Sequence, residues 1–115
     1  MQITRFATNQ RMSQAVRCGN FVFTAGQVAK DSGQDLKGQA AQCLAQIDAL
    51  LAQAGTDKTK ILMANIWLSD ISGFSEMNDV WDAWVPDGAA PARACVESSL
   101  ASPQFLVEIG VVAVV

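Results

Sequence analysis

The sequence contains no histidine and no tyrosine. Without an imidazole, a Ser-His-Asp triad, a Cys-His pair and most catalytic zinc sites are excluded, so any chemistry falls to Arg, Lys, Asp, Glu, Ser, Thr or Cys. Cysteine is scarce and unpatterned. Cys18, Cys43 and Cys95 are an odd number at scattered spacing, which fits neither a disulfide framework nor a CxxC metal clip, and free thiols are expected. Charge is low as well: 17% of residues are charged, and eight Lys and Arg against eleven Asp and Glu give a net charge of -3 with no basic stripe. That balance argues against a nucleic-acid partner, whose groove gains affinity by neutralising phosphates. No apolar run is long enough to span a bilayer, so no membrane partner is expected. The opening Met1-Gln2-Ile3-Thr4-Arg5 lacks the features of a secretory signal. A soluble, cytoplasmic protein is the expectation.

What the chain has in quantity is hydrophobic side chains, at 50% of 115 residues. A chain of this length forms a single domain, residues 1–115, that buries roughly two thirds of its unfolded surface. So apolar a composition predicts that part of its surface is covered by a partner, most economically by copies of itself.

Ile3 to Ala7 and Phe21-Val22-Phe23-Thr24 are short, aromatic or β-branched runs, with Cys18-Gly19-Asn20 as a turn between them, and predict a hairpin-like pair of strands. From Leu36 the apolar positions Ala40, Cys43, Leu44, Ile47, Leu50, Leu51 and Ala54 recur at the spacing of one helix face, and Gly55 stands where that helix should end. Ile61 to Ser69 predicts a strand, with Leu62, Ala64, Ile66 and Leu68 on one face. Ser72 is the candidate N-cap of a second helix carrying Phe74, Met77, Val80, Trp81 and Trp84, ended by Pro86-Asp87-Gly88. The two tryptophans are read as core packing rather than as a stacking platform for bases. Strands around Arg93 to Glu97 and from Phe105 to Val115 complete a β-β-α-β-α-β-β order. The fold class this predicts is α+β, a mixed β-sheet with two helices packed on one face and the other face needing a cover.

Two charges fall in segments a sheet should bury: Arg93, in Pro91-Ala92-Arg93-Ala94-Cys95-Val96, and Glu108, between Val107 and Ile109. A charge in an apolar strand costs several kcal/mol unless partnered. It is therefore either paired within the protein, Arg93 with Glu97 or Glu108, or kept for a ligand. Pro91 suits the first residue of a strand, which would place Arg93 near a rim. Its planar fork matches a carboxylate, and a separate carboxylate can deprotonate water, so the pair suggests hydrolysis of a small acid. Cys95 shares a strand face with Arg93, either as filler or as pocket wall, and Thr24-Ala25-Gly26-Gln27 reads as a tight turn or a close ligand approach. Asn78 reads, by itself, as an exposed polar residue of the second helix.

Taken together, Gly19-Asn20 leading into Thr24-Ala25-Gly26-Gln27, Ala45-Gln46-Ile47-Asp48, Phe74 with Met77-Asn78, Pro91-Ala92-Arg93-x-x-Val96 and Val107-Glu108-Ile109 resemble the Rid family, the reactive intermediate deaminases also called YjgF or endoribonuclease L-PSP. Arg11-x-Ser13 and Asp82-Ala83-Trp84-Val85 are most similar to its YoaB-like branch. The resemblance implies a chorismate-mutase-like fold and a homotrimer with sites in clefts between subunits. It also implies hydrolysis of 2-imino acids such as 2-iminopropanoate to 2-keto acids and ammonia, with no metal and no organic cofactor. Carried onto this chain, it gives Arg93 the substrate carboxylate, backbone groups at Cys95 the orientation of imine and water, and Glu108 the activation of that water. Thr24, Ala25, Gly26, Asn78 and Met12 fall at substrate-binding positions. The best-known deaminases have serine at the position of Ala25 and tyrosine near Met12. A non-catalytic keto-acid sensor using the same cleft is the alternative the resemblance leaves open.

Overall fold

The computed structural model describes residues 2–115. Among them run the strands β1 (Ile3–Thr8), β2 (Ser13–Cys18), β3 (Phe21–Thr24), β4 (Ile61–Leu68), β5 (Ala92–Glu97) and β6 (Val107–Val114), and the helices α1 (Leu36–Gln53) and α2 (Phe74–Trp84). The strands form one sheet in the order β1-β2-β3-β6-β4-β5. β4 and β5 are parallel and every other neighbouring pair is antiparallel. The sheet is therefore mixed, with β1 and β5 as its edges.

Helix α1 forms where its apolar spacing predicts. Asp35 caps its start by accepting from the Gly38 N–H. At its end Gly55 takes φ +89°, which lets the Thr56 N–H reach back to the Leu51 carbonyl at 2.9 Å. Leu44, Ile47 and Leu51 of α1, with Met77 and Trp81 of α2, pack on Val22, Ala64, Ile66, Leu68, Val107 and Ile109 of the sheet. All of that core lies on one face. The molecule measures 42 × 38 × 19 Å, the thickness of one sheet plus one helical layer. Side-chain alternation puts Phe21, Phe23, Met63, Trp67, Val112 and Val114 on the opposite face. There Phe21 and Phe23 are 48% and 46% exposed, so a largely apolar sheet face stands uncovered within the chain.

Three sequence expectations require correction. The hairpin between Ile3–Ala7 and Phe21–Thr24 does not form, because Ser13–Cys18 enters as β2 and pairs with both. The order is thus β-β-β-α-β-α-β-β. β2 is polar to read, but its polar groups have distant partners: Arg17 donates to the Ala54 carbonyl, and Gln14 accepts from Gln27. In β4 an irregularity between Ile61 and Met63 reverses the phase, burying Ile61 and turning Leu62 outward. Ser72 does not cap α2. Asp70 takes the Ser72 N–H instead and starts a short 3-10 turn, Ile71–Gly73, from which α2 continues without a side-chain cap.

Candidate functional site

β5 is matched with β4 so that Arg93 lies beside Ala64 and Cys95 beside Ile66, both core-facing. Arg93 therefore points under α2 rather than away from it. Its Nη1 donates to Asn78 Oδ1 at 2.8 Å, and its guanidinium carbon stands 5.3 Å from the Trp81 ring and 5.7 Å from the Phe74 ring. Phe74, Asn78 and Trp81 follow one another at i, i+4 and i+7, a single face of α2. The bland reading of Arg93 as half of an ion pair fails here. Glu97 spends its carboxylate on the Ile71 N–H, and the one ion pair among the described residues joins Lys37 and Asp79. Aromatic faces attract a cation without neutralising it, so the guanidinium keeps its charge available for an anion.

The backbone beside it is also available. Ser98 donates to the Leu68 carbonyl while Ser69 donates to Leu106, which fixes Leu68, Ile66 and Ala64 as the residues of β4 that hydrogen-bond toward β5. In β5 the matching groups belong to Ala94 and Val96. Those of Arg93 and Cys95 point outward from the free edge. Burial pushes the Cys95 thiol pKa up against the opposing pull of Arg93, so its sulfur stays protonated near neutrality.

Glu108 belongs elsewhere. It sits between core-facing Val107 and Ile109 and beside Trp67, so it projects onto the open face, opposite to Arg93. Its carboxylate lies over Gly26: a Cβ on that glycine would stand 2.1 Å from Oε2. The backbone that brings Gly26 there is a bulge. Phe23 pairs with Val112 and Gln27 with Ile109, leaving Thr24, Ala25 and Gly26 opposite only Gly110 and Val111. Thr24 Oγ1 compensates by accepting from the Val111 N–H at 3.0 Å. Gln27, 6% exposed, locks the far side through Gln14, Gln46 and the Ala25 carbonyl. Beneath the bulge, Cys43 donates to the Gln27 carbonyl. Burial, reinforced by Glu108, pushes its pKa up to about 12, so it is no nucleophile. Gly26 and Met12 line a cleft of about 470 Å³ that runs toward α1.

The sequence-predicted residues thus fall into two groups at separate places on the sheet: Arg93, Cys95 and Asn78 under α2, and Glu108, on the open face, with Gly26, Ala25, Thr24 and Met12 around the bulge. Sequence reasoning missed the aromatic clamp on Arg93, though its i, i+4, i+7 spacing was there to find. Among the described residues no group of three or more His, Cys, Asp or Glu side chains could hold a metal ion, and no helix is long and apolar enough to cross a membrane.

Gly26→Ala is expected to fold, because the clash falls on the movable end of Glu108 and not on backbone. The methyl group displaces the carboxylate, so any activity that uses Glu108 should fall about tenfold or more while the melting temperature holds. Thermal melts and rates on one preparation check this.

Residues 2–115 match the family described as Endoribonuclease L-PSP. The chain belongs to this family, known also as YjgF or Rid. It is 42% identical over 115 residues to the RutC family protein YoaB of Escherichia coli K12, covering 100% of both chains. A YjgF family member from Neisseria meningitidis superimposes with a TM-score of 0.96 at 47% identity, over 99% of this chain and 95% of that one. A protein of the conserved Rid family from Yersinia pestis, of unknown function, gives 0.90 at 32% identity, over 99% and 100%. The YjgF fold is thereby established, and the similarity of this Rid protein to YoaB runs over its full length.

Proposed function

We propose that the protein hydrolyses 2-imino acids to 2-keto acids and ammonia in clefts between the subunits of a homotrimer. The observation that carries this is Arg93, a guanidinium clamped by Asn78, Trp81 and Phe74 with no carboxylate partner among the described residues, beside the free backbone edge at Cys95. A substrate carboxylate fits the fork of Arg93, and the Cys95 N–H can donate to the oxygen that develops at C2. Glu108 would take a proton from the attacking water and return it to the nitrogen that leaves as ammonia. In one chain Glu108 lies across the sheet from Arg93. The catalytic reading therefore assigns the two to different subunits, with the uncovered apolar face as the surface that joins them.

A sensor reading, in which the protein only binds a small carboxylate, is supported by the completeness of the Arg93 half within a single chain. Coupling the assembled protein to a dehydratase that releases 2-iminobutanoate separates the two. Faster appearance of 2-oxobutanoate than in buffer supports the hydrolase, and an unaltered rate with retained 2-oxobutanoate binding replaces it with the sensor.

A further inference from the structure

The cleft beside Gly26 is larger than the smallest substrates require. Its volume is about 470 Å³, whereas 2-iminopropanoate has only a methyl side chain to place. We propose that this cleft receives the substrate's side chain and that Lys30 selects one ending in a carboxylate, making dicarboxylic 2-imino acids the substrate class. This rests on the hydrolase reading above, since Gly26 belongs both to the cleft and to the Glu108 half of the site.

The lining has two parts. Met12, Val28 and Leu50 supply an apolar wall, with the unbranched thioether of Met12 able to follow ligands of different shape. Among the described residues Lys30 is the one ionisable group lining the cleft, and it is exposed. It takes part in no ion pair among the described residues. Gln14, also in the lining, accepts from Gln27 at its Oε1, which leaves its amide Nε2 as a second donor. In a chain of net charge -3, an acid-free cleft with a free ammonium, an amide donor and an apolar wall is a local reversal of sign. Its complement is a short apolar stem with an anionic end. Arg93 would hold the carboxylate next to the imine, and Lys30 the distal one.

The test is calorimetric titration of 2-oxobutanoate and 2-oxoglutarate, stable keto analogues without and with the distal carboxylate, into the assembled protein. Wild type is expected to bind 2-oxoglutarate about two- to fivefold tighter, the range for a solvent-screened pair. Lys30→Met should level the two ligands and Lys30→Glu should reverse their order, with 2-oxobutanoate little changed. Arg93→Ala should lose both. Equal affinities in wild type, or a 2-oxoglutarate affinity indifferent to Lys30→Glu, overturns the role of Lys30 and leaves that of Arg93 intact. Retention of both ligands by Arg93→Ala overturns the underlying reading, and the subsite with it.

Discussion

Arg93→Lys is expected to lose nearly as much keto-acid affinity as Arg93→Ala, about thirty-fold to several-thousand-fold relative to wild type. The guanidinium does three things at once. It donates to Asn78 Oδ1, lies against Trp81 and Phe74, and still has edge donors for a carboxylate. A lysine ammonium is a point charge that can satisfy one of these partners but not present two parallel hydrogen bonds beyond them. Titrating pyruvate into wild type and both variants measures the loss. The same affinity in all three would reduce Arg93 to a prop beneath α2.

The second large effect is a recovery. Glu108→Gln keeps the side chain's size but removes the base, and should lower imine hydrolysis about a hundred-fold or more while keto-acid affinity holds. Arg93→Ala should be inactive through lost binding. Refolded together in equal amounts, the two variants are expected to regain about one quarter of wild-type activity. Random assortment makes about three quarters of the trimers mixed, and each mixed trimer rebuilds one of its three clefts from an intact Arg93 and an intact Glu108. Sites contained within one chain cannot be rebuilt this way. A mixture no more active than its separately refolded components sinks the shared-site assignment.

The parts of the fold legible in the sequence were those whose signals are local. Leu36 to Ala54 repeat one helix face without interruption, and Gly55 marks the end with the backbone conformation it alone adopts cheaply. β2 carried no such signal, because Gln14 and Arg17 earn their places through partners at Gln27 and Ala54. The two charges, Arg93 and Glu108, were legible as charges set in strands, but not the sides they take. β6 is apolar on both faces, with Val107, Ile109, Val111 and Ala113 on one and Val112 and Val114 on the other, so alternation alone does not say which face Glu108 joins. Nor does the side of Arg93 follow without the β4–β5 register, a pairing between segments separated by all of α2.

The open edge of β5 bears on how the protein survives its own synthesis. A newly released subunit shows unpaired strand groups at Arg93 and Cys95 next to an apolar sheet face, a combination that templates aggregation when chains are concentrated. Pro91 stands just before the strand, and Arg93 and Glu97 put a charge at either end of it. A proline ahead of an edge strand and charged residues along it are features that disfavour indiscriminate strand addition.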